Sequence, residues 1–165
     1  MPTVAFIALG SNLGDSPTLI HNAMQRLEGL SDQPLLRSSL WQSTPVDCPP
    51  GSPPFVNAVV GLVVRADETP ESLLEKLQAL EKDFGRRPRR VLNEPRLLDL
   101  DLLTFGSEAR DTPTLALPHP RAHQRRFVLE PLCELAPDLV LPTQTRPVRQ
   151  LLSELQSDEV VRRLS

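Results

Sequence analysis

Apolar positions along the chain follow two periods, one typical of strands and one typical of helices. Alternating or continuous apolar runs predict strands over 3–9, 35–42, 55–64, 97–105 and 114–117. Helical stripes predict helices that begin at Ser16 and Thr69, a helical piece over 127–135 and a last helix from about Val148. Ser16 and Thr69 are each followed by proline. A serine or threonine side chain can cap the free N–H groups at the start of a helix, and proline suits the first helical turn.

The first six predicted elements run strand, helix, strand, strand, helix, strand. This β-α-β-β-α-β order predicts an α+β fold of the ferredoxin-like type, an antiparallel sheet with its helices on one face, followed here by a C-terminal helix. A chain of 165 residues suits one domain with its own core, so we expect a single domain over 1–165.

Two aspartates interrupt the apolar run 97–103. Residues i and i+2 of a strand share a side, so Asp99 and Asp101 project together while Leu98, Leu100 and Leu102 face the other way. Two like charges on a half-buried surface repel each other and lose hydration, and a divalent cation relieves both penalties. An edge strand with acidic residues on its wet face explains the pair alone equally well.

The segment before these aspartates, 85–96, carries five arginines against one glutamate. This combination suits a polyphosphate ligand, because the carboxylates can hold Mg²⁺ and the guanidinium groups can bind the phosphate oxygens. The net charge is only −3, so a local cluster, not the whole molecule, must meet any anion. That acidity, together with 4% aromatic residues, disfavours a nucleic-acid-binding module.

Four further features each have a plain structural alternative. The turn 10–15 lacks the spacing of a phosphate loop, so a structural turn is the safer interpretation. Asn57 and Phe55 share a strand face and could bind a heterocycle, the amide at its edge and the ring on its face. A buried asparagine whose hydrogen bonds are made within the core explains Asn57 equally well. Glu81 lies beside the leucine stripe of the second helix and could face the edge of the sheet, although a glutamate at such a position is usually exposed to solvent. His119 and His123 have a spacing that zinc could use, but the H-E-x-x-H pattern is missing, and histidine with arginine fits a polyphosphate better.

Two cysteines are too few for a disulfide scaffold, and the sequence has neither a signal peptide nor an apolar run of the roughly 20 residues that a bilayer requires. We therefore expect a cytoplasmic protein without nucleic-acid or membrane partners.

Six motifs, in one order and over nearly the whole chain, resemble those of the hydroxymethyl-dihydropterin pyrophosphokinases of folate biosynthesis. They are TVAFIALGSNLGD (3–15), FVNA (55–58), PRLLDLDLL (95–103), LPHPR (117–121), RRFVL (125–129) and PL (131–132). The resemblance implies a ferredoxin-like fold, a single pyrophosphokinase domain, and transfer of pyrophosphate from ATP to the pterin's hydroxymethyl group, leaving AMP. ATP and the pterin would be the small-molecule partners of a monomer.

The resemblance also implies the roles of individual residues. Catalytic roles fall to Arg86, Arg96, Asp99 and Asp101, and the two aspartates would bind two Mg²⁺ ions. Pterin-site positions are Thr44, Pro45, Val46, Phe55, Asn57 and Phe127. ATP-site positions are Gln78, Arg96, Leu102, Leu115, His119 and Arg125. Glu81 matches a supporting glutamate beside the metal site.

Two loop positions depart from the pattern of some members. Pro88 replaces an arginine, for which Arg87, Arg89 or Arg90 could substitute, and Asn93 replaces a tryptophan. A catalytically weakened relative that binds a pterin or nucleotide is therefore one alternative function, and Mg²⁺-dependent hydrolysis of a nucleotide is another.

Overall fold

The computed structural model describes residues 2–12, 15–44, 53–85 and 98–164. Its strands are β1 (Val4–Ser11), β2 (Leu36–Arg37), β3 (Trp41–Ser43), β4 (Phe55–Val63), β5 (Asp99–Phe105), β6 (Arg110–Asp111), β7 (Ala116–Leu117) and β8 (Val161–Arg163). Its helices are α1 (Ser16–Glu28), α2 (Pro70–Asp83), α3 (Arg126–Leu135) and α4 (Val148–Glu154).

The main sheet has the strand order β5-β1-β4-β3-β8, with β2 also paired to β4, and its pairs are antiparallel. The last strand of the β-α-β-β-α-β unit lies beside the first, followed by the third and the second, so the predicted ferredoxin-like fold is confirmed. The strand predicted over 35–42 is split into β2 and β3, because Ser38 between them bonds to Val59 through both its backbone N–H and its hydroxyl.

Helices cover both faces of this sheet. Side chains of α1 and α2 pack on one face with Ile7, Leu62 and Leu100, as the predicted unit requires. The helices α3 and α4 pack on the other face, against Phe6 and Val59. The central strands β1 and β4 are apolar on both sides, so the second face needed a cover that the simple β-α-β-β-α-β prediction did not include.

The two core helices begin close to their predicted positions. Thr69 caps α2 and exchanges hydrogen bonds with Ser72, as the sequence predicted for this end of the helix. At α1 the predicted cap is wrong by one residue, because the Asp15 carboxylate accepts from the Thr18 backbone N–H at 3.4 Å while Ser16 is already helical. The strands β6 and β8 were not predicted, since both are short and carry arginine.

None of the helices in the described ranges is long and apolar enough to cross a membrane.

Candidate active site

The predicted metal and pterin residues lie in one row across the sheet. Asp99 of β5 is opposite Gly10 of β1, Gly10 is opposite Asn57 of β4, and Asn57 is opposite Trp41 of β3. Residues opposite each other in adjacent strands share a face, and this face is the one that α3 and α4 cover. At roughly 4.8 Å per strand, the backbones of Asp99 and Asn57 are about 10 Å apart, and the residue between them on this face is Gly10, which has no side chain.

Asp99 and Asp101 are half-buried and share this face, while Leu98, Leu100 and Leu102 are buried on the opposite face with α1 and α2. The predicted alternation of the strand is confirmed. The strand β5 is also the edge of the sheet, as the alternative explanation required. A buried glutamate on α2 and a cleft lie beside the two carboxylates, which acidic residues on a plain solvent-exposed edge would not require.

Glu81 holds the backbone between the two aspartates. Glu81 is only 6% exposed, so it faces the edge of the sheet and is not a solvated flank. Its Oε2 accepts a hydrogen bond from the Leu100 backbone N–H at 2.8 Å, on the side of β5 that no further strand pairs within the described sheet. A buried carboxylate on α2 therefore fixes the edge strand where its two aspartates project.

A cleft of about 240 Å³ adjoins the aspartate pair. Its lining includes Asp101 and three of the predicted ATP-site residues, Leu102, Leu115 and His119. The hairpin β6–β7 supplies one wall through 112–116, which sequence reasoning assigned no role beyond Leu115. Gln78 is exposed on α2, and neither it nor Arg125 lines this cleft, so the structure does not bring the full predicted ATP set together.

A larger cleft, of about 320 Å³, is lined by Glu68, Phe105 and Arg110 among others, and none of the predicted site residues within the described ranges lines it.

His119 is fixed by hydrogen bonds at its backbone and at its ring. Its backbone N–H donates to the Leu103 carbonyl at 2.8 Å, and its Nδ1 accepts from the Arg121 backbone N–H at 3.2 Å. Burial lowers the pKa of the imidazole, and the charges of Arg125 and Arg121 lower it further against the opposing effect of Asp99. With Nδ1 used as an acceptor, the proton of the neutral ring lies on Nε2, which can donate to a phosphate oxygen.

Three side chains lie at the end of the row that is predicted to bind the pterin. Asn57 is 4% exposed, and its Nδ2 donates to the Ser43 hydroxyl at 2.7 Å. A Cβ on Gly10 would lie 3.6 Å from the Asn57 Oδ1, so the amide oxygen faces the gap above Gly10. Phe55 shares the strand face of Asn57, and its ring also borders that gap, with its Cδ1 4.0 Å from the same point.

The helix α3 brings the next two predicted residues to this face. Phe127 is half-buried and packs against the α3 and α4 side of the core, and the Arg125 guanidinium lies 5.5 Å from the centre of its ring. That distance is within the range of a cation–π contact. Thr44 follows β3 and is exposed.

Sequence reasoning missed Ser43. It is 3% exposed, bonds to Asn57 and pairs with Phe55 in the register of β3 and β4. A polar residue at the end of an apolar strand was the available signal, but the strand had been predicted to stop at Gln42.

Several predicted residues lie outside the described ranges, and they stay predictions. They are Pro45, Val46, Arg86 and Arg96, together with the loop positions Arg87, Pro88, Arg89, Arg90 and Asn93.

Metal-ligating groups are sparse in the described part of the chain. No cluster there joins three or more histidine, cysteine, aspartate or glutamate side chains in a way that could hold a metal ion, so the zinc alternative for His119 and His123 gains no support. A pair of carboxylates is nevertheless the usual protein contribution to Mg²⁺, which takes its other ligands from water and substrate phosphates. The donor set at Asp99 and Asp101 fits that ion.

The fold and this row of residues define a ferredoxin-like α+β domain with a carboxylate pair beside a cleft. The family model described as 7,8-dihydro-6-hydroxymethylpterin-pyrophosphokinase (HPPK) matches residues 6–137. Two curated relatives named 2-amino-4-hydroxy-6-hydroxymethyldihydropteridine pyrophosphokinase agree with it. The one from Haemophilus influenzae is 40% identical over 152 residues, covering 92% of this chain and 89% of the relative. The one from Pseudomonas aeruginosa is 43% identical over 138 residues, covering 83% of each. The chain therefore belongs to the HPPK family, and the predicted resemblance is confirmed.

Solved structures agree on the fold. Wild-type HPPK-DHPS of Plasmodium falciparum with pteroate superposes with a TM-score of 0.72 at 14% sequence identity over 93% of this chain. The match covers 42% of that longer chain, so this chain spans less than half of it.

Proposed function

We propose that this protein transfers the pyrophosphate group of ATP to the hydroxymethyl group of 6-hydroxymethyl-7,8-dihydropterin, giving AMP and the pterin pyrophosphate for tetrahydrofolate biosynthesis. One observation carries the proposal: Asp99, Gly10 and Asn57 stand in register on a single face of the sheet. A metal-type pair and a heterocycle-type amide thereby lie about 10 Å apart, with a glycine between them on the same face. Membership of the HPPK family supports this assignment of the two ends.

On the nucleotide side, Leu102 and Leu115 offer apolar walls for a base, and Asp101 lines the same cleft. His119, whose Nδ1 accepts from the Arg121 N–H, can donate from Nε2 toward the phosphates, and the nearby Arg125 adds a positive charge. Gln78 and Arg96 complete the set that the resemblance implies. Asp99 and Asp101 would hold Mg²⁺, two ions according to the resemblance, and bound Mg²⁺ would neutralise charge on the phosphate oxygens.

On the pterin side, Asn57 presents an amide whose orientation Ser43 fixes. Such an amide can match the donor and acceptor edge of the heterocycle, while the rings of Phe55 and Phe127 can stack on its faces. The backbone of Thr44, Pro45 and Val46 completes this pocket in the family pattern.

The reaction joins the two sides in line. The hydroxyl oxygen of the pterin attacks the β-phosphorus of ATP, the bond from that phosphorus to the α–β bridging oxygen breaks, AMP leaves, and the hydroxyl proton is lost. Arg86 and Arg96 are proposed to stabilise the charge that develops on the transferred group. Gly10 leaves the path between Asn57 and Asp99 open for the hydroxymethyl group.

We also expect residues 1–165 to act as one pyrophosphokinase domain, as a monomer and in the cytoplasm.

The test measures AMP release from ATP and Mg²⁺ by the purified protein, with and without the pterin. AMP should form only when the pterin is present. Asp99→Ala and Asp101→Ala should nearly abolish it, whereas Asp138→Ala, which removes an exposed carboxylate paired with Arg149, should leave it unchanged. Tight binding of both substrates without AMP would instead identify a catalytically weakened relative, and nucleotide hydrolysis without the pterin would identify a hydrolase.

A further inference from the structure

Residues 155–164, here termed the C-terminal strap, run from the end of α4 to the edge of the main sheet. Within the strap, β8 pairs with β3 in the register Ser43 to Val161 and Trp41 to Arg163. The pairing extends beyond the strand, because the Thr44 backbone N–H donates to the Val160 carbonyl at 3.3 Å. The strand that carries Ser43 is therefore fixed by β4 on one side and by the strap on the other.

The strap also holds the beginning of α3. The Glu159 carboxylate accepts a hydrogen bond from the Arg126 backbone N–H at 3.0 Å, and the Arg126 guanidinium donates to the Leu155 carbonyl at 3.2 Å. Arg126 is the first residue of α3, and Arg125 at the N-cap position makes no capping hydrogen bond with its side chain. Glu159 thus supplies, from 33 residues away, an acceptor and a negative charge where the helix dipole favours them.

The far end of α3 is attached to the same strand by a different carboxylate. Glu134 accepts from the Trp41 indole N–H at 3.0 Å and from the Ser39 backbone N–H at 3.0 Å. One end of α3 is therefore tied directly to the region of β3, and the other end is tied to it through the strap. Phe127 lies next to the strapped end, and Ser43 lies on the strapped strand.

We propose that the C-terminal strap is part of the pterin site, with Glu159 as a positioning residue that sets the spacing between Phe127 and the Ser43 and Asn57 pair. This inference rests on the proposed function. The nucleotide cleft is lined by residues of 74–120, none of which is part of the strap. A weakened strap should therefore impair the binding of the pterin more than that of ATP.

The experiment compares steady-state kinetics and direct pterin binding, followed by fluorescence, for three Glu159 variants. Glu159→Ala should raise the KM and Kd for the pterin about threefold to tenfold, the range expected for one hydrogen bond that holds a helix end, while the KM for ATP changes less than about twofold. Glu159→Gln keeps an acceptor oxygen for the Arg126 N–H and should restore values close to the wild type. Glu159→Asp keeps the charge but shortens the side chain by one carbon, which withdraws the acceptor from the Arg126 N–H, so it should resemble the alanine variant.

Glu154→Ala is the matched control, because Glu154 lies just before the strap and pairs with Arg146 instead of α3. It should leave both KM values unchanged. An unchanged pterin KM in folded Glu159→Ala would overturn the proposal, as would an equal rise in both KM values. If the alanine variant fails to fold, an unchanged pterin KM in Glu159→Asp overturns it equally. Failure of the proposed function would look different, because the wild type itself would then release no AMP.

Discussion

Replacing Gly10 with alanine should remove activity without removing stability. The added methyl carbon would lie 3.6 Å from the Asn57 Oδ1 and 4.0 Å from the Phe55 Cδ1, which are ordinary van der Waals distances. The protein without substrates can therefore accept it. Alanine also restricts the unfolded chain, so the free energy of unfolding should rise by about 0.4–1 kcal/mol. In a domain of this size that corresponds to a rise of roughly 1–4 °C in Tm.

The same methyl group would lie between Asn57 and Asp99, where we propose that the hydroxymethyl group of the pterin approaches ATP. A displacement of the reacting atoms by about 1 Å can lower a rate by about a hundredfold, equivalent to roughly 2.7 kcal/mol in the barrier. We therefore expect kcat/KM for the pterin to fall by about that factor. The measurements are AMP release at 25 °C and thermal unfolding of the same preparation.

Gly61→Ala provides the matched control on the neighbouring strand β4. Its methyl carbon would lie 2.9 Å from the Leu36 Cδ1 and 3.2 Å from the Phe6 Cε1, so side chains must move. Such overpacking costs about 1–3 kcal/mol, which should lower Tm while kcat/KM at 25 °C stays near the wild-type value. Wild-type kcat/KM in Gly10→Ala, or a loss of activity explained by a lower Tm, would refute the proposed path across Gly10.

Three further predictions follow from individual contacts. Glu81→Ala removes the acceptor of the Leu100 N–H, so it should destabilise the protein by about 1–3 kcal/mol in thermal unfolding and raise the KM for ATP. Glu81→Gln should recover most of the stability. Equal behaviour of the two variants would contradict the hydrogen-bond explanation. Ser43→Ala removes the acceptor of the Asn57 amide, so it should raise the KM for the pterin with little change in the KM for ATP. Ser43→Thr should restore the pterin KM. A pterin KM that stays at the wild-type value in Ser43→Ala would argue against a role for this contact. Burial raises the pKa of Glu134, but the hydrogen bonds from Ser39 and Trp41 outweigh it and hold the pKa below its ordinary value of 4.5. Its contribution to stability should therefore be present above pH 4.5 and be lost as the pH falls through the lowered pKa. The fluorescence of Trp41, the single tryptophan, should report this loss in the wild type and not in Glu134→Gln.

The order of elements could be predicted from the sequence because strand and helix periods are local properties. The direction of Asp99 and Asp101 follows from the same local alternation, and so does the capped start of α2 at Thr69. Family motifs added roles that periodicity could not supply.

Other features depend on how distant segments meet. The place of Gly10 between Asp99 and Asn57 requires the register of three strands, which the sequence does not state. Burial of Glu81 depends on where the edge of β5 runs, and a helical wheel shows only that this glutamate flanks an apolar stripe. The strand β8 carries two arginines and little apolar alternation, so its pairing with β3 could not be read from residues 161–163 alone.

Attack of the pterin hydroxyl on the β-phosphorus of ATP is the step that distinguishes pyrophosphate transfer from transfer or hydrolysis of a single phosphate group. Labelling ATP at its α-, β- or γ-phosphorus and separating the products tests it most directly. The β and γ labels should move together to the pterin, and the α label should remain in AMP. A γ label that reaches the pterin alone, or labels released as free phosphate or pyrophosphate, would contradict it.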